Sequence, residues 1–185
     1  MTQLEWVKDP LQLEVSPSSL ILEWLTKPYM LSKALKRVCQ SFSVQVLEQC
    51  FLPAFEDEII ALQIDSAHLP FVRQVFLQGD GVSLIQGRVV IPKITYQHYF
   101  KQFASLSDNP IGETMLYHNP DVSRDAFEYA HVRASHPFAH QTRNALLAQG
   151  NMTEDLWARR SIFWLKSYPL LVSEIFFPTL PPYCP

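Results

Sequence analysis

Two charged residues stand in otherwise apolar segments, which makes them the strongest candidates for chemistry. Arg73 lies in the segment FVRQVFL (71–77), where it shares its parity with Phe71 and Val75. Side chains two residues apart on a strand point to the same face, so Arg73 is expected to point toward the core. A guanidinium keeps its proton in proteins. Buried here, it needs a carboxylate, a ring of neutral acceptors or an anionic ligand.

Glu174 presents the same problem with the opposite charge. It lies in PLLVSEIFFP (169–178), which is apolar on both parities, as in a strand that is buried on both faces. A buried glutamate is either protonated or paired. One interpretation is a structural salt bridge between Arg73 and Glu174. The other is a small-molecule pocket with one cationic and one carboxylic wall.

A third feature concerns an anion. The segment DNPIG (108–112) fits a helix start, with Asn109 as the N-cap and Pro110 at the first helical position. The backbone N–H of Ile111 would then lie at the positive end of the helix and could hold a carboxylate.

Other polar residues give weaker signals. The side of Arg88 is ambiguous, and the pairs Arg124-Asp125 and Arg159-Arg160 are expected on the surface. His136 and His140 could share a helical face, but a zinc site needs at least a third protein ligand. We therefore predict no metal site. The chain has no GxSxG nucleophile motif and no GxGxxG phosphate-binding motif.

The composition sets outer limits on the fold and the function. The chain has 185 residues, of which 48% are hydrophobic and 18% charged, which predicts one folded domain over residues 1–185. A net charge of −3 argues against a broad electrostatic nucleic-acid binder. The three cysteines are too scattered for a disulfide framework, which favours a reducing compartment. No apolar run approaches the roughly 20 residues that span a bilayer, and no N-terminal leader pattern is present, so we expect a cytoplasmic protein without stable membrane insertion.

Hydrophobic periodicity predicts the elements that carry these residues. The expected helices cover 20–25, ending before Pro28, then 30–40, and 96–106 with Thr95 as its cap. The expected strands begin at Phe42 and continue with 71–77, 82–91, 125–132, 160–166 and 170–177. Strands mostly follow one another, which favours an α+β fold with an antiparallel sheet of about six strands.

The segments named above also carry a family resemblance. WL (24–25) with LSK (31–33), FVRQVFL (71–77), GRVVIP (87–92), NPIG (109–112), SRDAF (123–127), LWARRS (156–161) and PLLVSEIFFP (169–178) are similar, in order and spacing, to the chorismate pyruvate-lyases. The resemblance implies an antiparallel sheet that backs an internal ligand site enclosed by helices and flap segments. It implies conversion of chorismate to 4-hydroxybenzoate and pyruvate, the first step of ubiquinone biosynthesis, without a metal or an organic cofactor. Separately, we expect the protein to be a monomer.

The resemblance also assigns roles to residues. Arg73 resembles the arginine that holds the ring carboxylate, and Glu174 resembles the carboxyl group that faces the 4-hydroxyl; these two are the catalytic candidates. Leu31 and Ile111 resemble the positions whose backbone meets the ligand, although a one-residue shift would use Met30 instead. Whether Glu174 acts as a base or only positions the hydroxyl stays open.

Two further expectations complete the sequence interpretation. Between Ala130 and Leu156 the chain is longer than the family pattern, and this extra loop around 131–153 is expected to be a surface excursion. The alternative function is a non-catalytic sensor of small aromatic acids, because ligand-binding modules of some transcription regulators have a similar fold. Such modules are usually attached to a basic DNA-binding domain, and the 19 residues before the first expected helix are too short for one.

Overall fold

A single antiparallel sheet organises the molecule. The computed structural model describes residues 3–27 and 30–185. Within those residues the sheet has seven strands in the order β1-β2-β3-β7-β6-β4, and β5 also pairs with β6. The strands are β1 (Phe42–Phe51), β2 (Phe71–Gly79), β3 (Val82–Ile91), β4 (Val122–Arg124), β5 (Glu128–Arg133), β6 (Asp155–Leu165) and β7 (Tyr168–Phe176). The expected α+β class is confirmed, with one strand more than expected.

Six short α-helices within the described residues pack on this sheet. They are α1 (Ser19–Thr26), α2 (Leu31–Val38), α3 (Glu56–Leu62), α4 (Lys93–His98), α5 (Phe100–Ala104) and α6 (His140–Ala148). One-turn 3-10 helices cover Pro10–Gln12 and Pro137–Ala139, and a π-helical turn covers Gly112–Leu116. None of the helices in the described ranges is both long and apolar enough to span a bilayer.

Local chemistry explains several of these boundaries. The Ser18 hydroxyl accepts a hydrogen bond from the Ile21 amide at 3.3 Å and so caps α1. The expected end of this helix at Pro28 lies outside the described residues. The hairpin of β2 and β3 turns at Asp80 and Gly81, which have φ values of 51° and 79°. Two successive positive φ angles are typical of the tight turn that suits the right-handed twist of paired strands.

Two predicted elements have different bounds in the structure. The helix expected over 96–106 is instead the pair α4 and α5, and Thr95 is not its cap. Thr95 is buried inside α4, where its hydroxyl donates to the Pro169 carbonyl at 2.8 Å and so fixes the helix to β7. The strand expected over 125–132 begins three residues later, as β5 at Glu128, and the separate strand β4 ends at Arg124. Between them the Asp125 amide donates to the Ile162 carbonyl.

The first face of the sheet carries two separate apolar clusters. One joins Trp24 and Leu25 of α1 and Leu35 of α2 to Leu77 and Phe176 of the sheet. The other joins α5 and the π-helical turn to the far end of the same face through Phe103, Met115, Leu116, Phe71, Val89 and Leu170. The gap between these clusters is where the sheet can hold a ligand.

The opposite face of the sheet is covered by α3 and α6. Leu62 of α3 packs on Val72 and Val90, and Phe138 and Leu146 pack farther along the face. The segment 131–153 is therefore not the surface excursion that we expected. It contains the end of β5 and all of α6, because its apolar side chains complete the core on this face.

A buried hydrogen-bond pair fastens α6 to the sheet. Both the amide and the hydroxyl of Thr142 donate to Gln86 Oε1, at 2.9 and 2.6 Å. Thr142 and Gln86 are both fully buried. This bond satisfies polar groups that would otherwise destabilise the core.

Candidate active site

A narrow cavity lies on the first face of the sheet, between its two apolar clusters. The space open to the centre of a water molecule is about 60 Å³. One water needs about 10–15 Å³ by that measure, so the cavity holds only a few. Its wall is mostly apolar and is formed by Met30, Leu31, Ser32, Val44, Arg73, Val75, Leu77, Gly87, Val89, Asn109, Pro110, Ile111, Gly112, Tyr117, Val172 and Glu174.

The four residues expected to meet a ligand all line this cavity. Arg73 and Glu174 rise from its floor, while Leu31 begins α2 and Ile111 directly precedes the π-helical turn. Met30 lines the cavity as well, so the geometry does not choose between Met30 and Leu31. The sheet and both covering segments thus bring distant parts of the chain to one chamber.

Strand register sets the spacing of the two charged groups. Arg73 on β2 is paired with Val89 on β3, whereas Glu174 on β7 is paired with Gly87, two residues along β3. From ordinary strand spacing, their Cα atoms are roughly 12 Å apart. Both side chains leave the same face, and Gly87 between them adds no side chain to the floor. This arrangement leaves room for a flat ring between a cation and a carboxyl group.

Arg73 is a buried cation held by neutral acceptors. It is 2% exposed, and its Nη1 donates to Gln49 Oε1 at 2.6 Å. Its Nη2 donates to the carbonyls of Ser107 at 2.8 Å and Asn109 at 3.1 Å. Among the ion pairs formed by residues 3–27 and 30–185, none includes Arg73. Burial lowers the pKa of Arg73, and the nearby charge of Asp108 opposes that shift. The guanidinium remains charged and suits an anionic ligand.

Those carbonyl contacts also change the helix start predicted at Asn109. The π-helical turn begins at Gly112, and Ile111 rather than Asn109 occupies the position before it. Asn109 does not act as a cap, because its carbonyl and that of Ser107 are turned toward Arg73. The conformation before Gly112 thus depends on hydrogen bonds to Arg73 of β2, which the sequence of this segment alone does not predict.

Glu174 is paired with a different arginine from the one considered. Its Oε2 accepts a hydrogen bond from Arg159 Nε at 2.6 Å, so the structural salt bridge between Arg73 and Glu174 is wrong. The Glu174 side chain is 18% exposed, on the side of the cavity, whereas Arg159 is fully buried. The charge on Glu174 is therefore balanced by Arg159, while Arg73 has no carboxylate partner among residues 3–27 and 30–185.

The expectation that Arg159 and Arg160 lie on the surface is also wrong. They are successive residues of β6, so their side chains enter opposite faces. Arg160 is 8% exposed and binds Asp57 Oδ2 at 3.0 Å and Glu128 Oε2 at 2.8 Å. The expected strand began at Arg160, five residues too late. The apolar residues that precede it, Leu156 and Ala158, were the signal of a longer buried strand.

The other weaker candidates lie away from the cavity. Arg88 points to the opposite face and makes two bonds to Glu58, at 2.7 and 3.0 Å. Arg124 is half-buried, and its guanidinium carbon lies 3.8 Å from the centroid of the Phe127 ring. In the described part of the chain, no group of three His, Cys, Asp or Glu side chains is arranged to hold a metal ion. Cys39, Cys50 and Cys184 are free thiols.

A salt bridge joins the two segments that cover the cavity. Lys36 Nζ on α2 donates to both carboxylate oxygens of Glu113, at 2.8 and 2.9 Å. Glu113 directly follows the cavity residue Gly112. Sequence spacing could not reveal this pair, because its members are 77 residues apart.

Solved structures with a similar fold include an effector domain and the C-terminal domain of a repressor. The effector domain of PhnF from Mycobacterium smegmatis has a TM-score of 0.53 and 11% identity, over 80% of this chain and 88% of that one. The C-terminal domain of the histidine utilization repressor from Pseudomonas syringae has a TM-score of 0.53 and 10% identity, over 75% and 93%. At these identities the similarity concerns the fold alone.

Sequence relatives are far closer. A protein of Aromatoleum aromaticum named "Probable chorismate pyruvate-lyase" is 33% identical over 175 residues, which cover 95% of this chain and 92% of that protein. One of the same name from Thiobacillus denitrificans is 34% identical over 158 residues, covering 85% and 82%. The family profile described as chorismate lyase matches residues 2–183. Because that match spans nearly the whole chain and the relatives align over most of both lengths, the chain belongs to the chorismate lyase family.

Proposed function

We propose that this protein is a chorismate pyruvate-lyase, which splits chorismate into 4-hydroxybenzoate and pyruvate. The observation that carries the proposal is the cavity itself. Among the described residues, it places a buried arginine that has no carboxylate partner and a paired glutamate in the wall of one largely apolar cavity. Chorismate offers a ring carboxylate and a 4-hydroxyl at opposite ends of a six-membered ring, which matches those two groups.

Arg73 is proposed to bind the ring carboxylate. Its bonds to Gln49, Ser107 and Asn109 fix the guanidinium and leave other N–H groups for a ligand. With both N–H groups of Nη2 occupied by carbonyls, the Nε–H and one Nη1–H remain, and either can donate a charge-assisted hydrogen bond to the carboxylate. The Ile111 amide, at the start of the covering turn, would add a donor to the same anion.

Glu174 is proposed to face the 4-hydroxyl. In the described part of the chain only Oε2 has a hydrogen-bond partner, Arg159, so Oε1 remains for the ligand. In the reaction the C3–O bond breaks, the C4 proton leaves, and the enolpyruvyl group takes up a proton to become pyruvate. Glu174 can remove the C4 proton, or it can hold the conformer in which that proton passes directly to the enolpyruvyl methylene.

The apolar wall explains how so few groups can be sufficient. Loss of pyruvate makes the ring aromatic, so the reaction is strongly downhill and consumes no water. A dry cavity strengthens the contacts to both polar groups and keeps water from the intermediate charges. We propose that these side chains act without a metal or an organic cofactor. An enclosed aromatic product leaves slowly, so we expect product release to limit turnover.

The test is direct conversion. Purified protein is incubated with chorismate in the presence of EDTA, and the formation of 4-hydroxybenzoate is followed by absorbance. We expect the product to appear together with an equal amount of pyruvate. Tight binding of 4-hydroxybenzoate without turnover would instead support the sensor that shares this fold. If the protein neither binds 4-hydroxybenzoate nor converts chorismate, both the lyase and the sensor are contradicted.

The setting of the reaction is also a proposal. We propose that the enzyme works in the cytoplasm as a monomer, with chorismate and 4-hydroxybenzoate as its small-molecule partners and without nucleic acid. We further propose that it supplies ubiquinone biosynthesis. Family membership and the fitted cavity support the substrate, whereas location, oligomeric state and pathway depend on the resemblance.

Replacing Gly87 by valine should close the floor of the cavity. A Cβ atom placed at Gly87 would lie 3.2 Å from Val75 Cγ2, tighter than ordinary contact, and valine adds two more methyl groups. We expect Gly87→Val to weaken 4-hydroxybenzoate binding by at least about 10-fold, a loss typical of overfilling a packed site. Titration calorimetry measures it, and Gly87→Ala should show a smaller effect. Equal binding by all three proteins would contradict a ligand that lies over Gly87.

Breaking the Lys36–Glu113 salt bridge should make the cover open more easily. Burial raises the pKa of Glu113, but hydrogen bonds from Lys36 and Ser32 and nearby positive charges outweigh it, so the pKa is lowered overall. A carboxylate with a lowered pKa stabilises the folded form above its unfolded pKa, about 4.3, and loses that effect as the pH falls further. The side chains of Lys36 and Glu113 are 46% and 29% exposed, so the salt bridge has only a small effect on stability.

We therefore expect Lys36→Met to release 4-hydroxybenzoate several-fold faster, with a change in unfolding free energy of only about 0.2–1 kcal/mol. Stopped-flow measurement of product dissociation tests this. The difference from the wild type should shrink in high salt, because surface pairs are screened. Lys33→Met is the matched control, since it removes the same charge from the same helix. A similar acceleration in both variants would mean that net charge, rather than this salt bridge, is responsible.

A further inference from the structure

We propose that Arg159 is a positioning residue of the active site. It holds Glu174 in the orientation in which its carboxylate contacts the 4-hydroxyl of the ligand. This inference rests on the proposed function, because it gives Arg159 a role toward the ligand that Glu174 contacts. The strand expected from Arg160 left Arg159 outside it, and the sequence suggested that Arg159 would lie on the surface. Its contacts in the structure give it a different place.

The pairing of Arg159 with Glu174 is set by the sheet. The two residues are register partners on β6 and β7, and Arg159 Nε donates to Glu174 Oε2 at 2.6 Å. A hydrogen bond to this oxygen assigns the two oxygens of the carboxylate different roles. Oε2 belongs to the wall, and Oε1 is the acceptor that faces the cavity. Because its charge is balanced by Arg159, Glu174 can lie beside an anionic substrate.

The guanidinium is itself held in place on several sides. Its central carbon lies 4.2 Å from the Phe127 ring centroid and 5.5 Å from that of Phe176. Its Nη1 donates to the Leu25 carbonyl of α1 at 3.0 Å. A fully buried arginine that is fixed by two rings and a carbonyl is a rigid support, which is what orienting a carboxylate requires.

The contact with Leu25 links the carboxylate to the cover. Leu25 lies in the last turns of α1, and five residues later the chain reaches Met30 and Leu31 in the cavity wall. A movement of α1 away from the sheet would remove an acceptor from Arg159. Arg159 thus contacts both α1 and Glu174, so the position of α1 on the sheet and the orientation of Glu174 are coupled through it.

The experiment measures how strongly the protein recognises the 4-hydroxyl. Dissociation constants are determined for benzoate and for 4-hydroxybenzoate, which differ only in that group, and their ratio reports the hydroxyl contact. A hydrogen bond to a charged group gives the wild type an expected ratio of about 10 to 100. In Arg159→Met we expect this ratio to fall below about 3, while benzoate affinity, which depends on Arg73, changes by less than about 3-fold.

Two further variants show whether the effect passes through Glu174. Glu174→Ala should lower the ratio to the same extent, and adding Arg159→Met to it should lower the ratio no further. Arg159→Lys keeps the charge but not the planar guanidinium. Its affinity ratio and its turnover of chorismate should therefore lie between those of Arg159→Met and the wild type. If Arg159→Met does not fold, the lysine variant carries the same comparison.

Arg160→Met is the matched control. It removes the neighbouring buried arginine, whose partners Asp57 and Glu128 do not include any cavity residue. It should lose stability yet keep the wild-type ratio. An unchanged ratio in Arg159→Met, an equal loss of both ligands, or a wild-type ratio near one would each overturn the proposal. None of these results concerns whether the wild type converts chorismate, so the proposed function is judged separately.

Discussion

Arg73→Ala should abolish most turnover of chorismate, with kcat/KM falling by about 100- to 1,000-fold, as when a preorganised donor is removed from a dry site. The affinity for 4-hydroxybenzoate should fall by a comparable factor. The reason is that Arg73 is the buried cation in the cavity that has no carboxylate partner. Steady-state kinetics and calorimetric binding measure both effects. If Arg73→Ala has the wild-type kcat/KM on chorismate, Arg73 does not bind the ring carboxylate and the cavity is not the active site.

A pair of lysine variants separates binding from folding in this experiment. Arg73→Lys and Arg88→Lys each keep a positive charge and remove a planar fork from the same sheet. Arg88 faces the opposite side, where its partner is Glu58. We expect both variants to melt at lower temperature, but only Arg73→Lys to lose ligand affinity. An equal loss of activity in both would indicate damage to the sheet rather than to the anion site.

Glu174→Gln should retain binding of 4-hydroxybenzoate within about 3-fold but slow the chemical step by about 100-fold, the effect expected for loss of a general base. The amide has nearly the same shape and can still contact the hydroxyl, but it cannot accept the C4 proton. Single-turnover kinetics with chorismate measure the chemical step apart from slow product release. The expected result places Glu174 in the chemistry as well as in binding.

A small change in the chemical step would point to the other mechanism. If Glu174→Gln reacts at nearly the wild-type rate in a single turnover, Glu174 only holds the conformer, and the proton passes within the substrate. Glu128→Gln is the matched control, because it makes the same change in a carboxylate paired with Arg160 on the opposite face. Glu128→Gln should leave the chemical step unchanged.

Strand periodicity was enough to find the two charged residues of the site. Arg73 and Glu174 each interrupt an apolar strand, and both proved to lie in the wall of one cavity. The reason is general, since side-chain direction alternates along a strand whatever the partner strand is. The hairpin of β2 and β3 was equally visible, because a turn with two positive φ angles selects particular residues.

The partners of those residues could not be read in the same way. The salt bridge of Glu174 comes from a neighbouring strand whose beginning was placed five residues too late. The turn before Gly112 is shaped by carbonyl contacts to Arg73, more than 30 residues earlier in the chain. Such pairings depend on strand order and on the packing of loops against the sheet, which local propensity does not encode. The roles assigned to Leu31 and Ile111 stay predictions.

The order of the strands means that the cavity is complete only when β7 is in place. β7 is the last strand in the chain, yet it is inserted between β3 and β6 near the middle of the sheet. Until it docks, β3 has an open edge and the chamber lacks the wall that carries Glu174. Synthesis proceeds from the amino terminus, so a nascent chain passes through a stage with an exposed, apolar strand edge. Truncations that remove β7 should therefore yield aggregating chains rather than weakened enzymes.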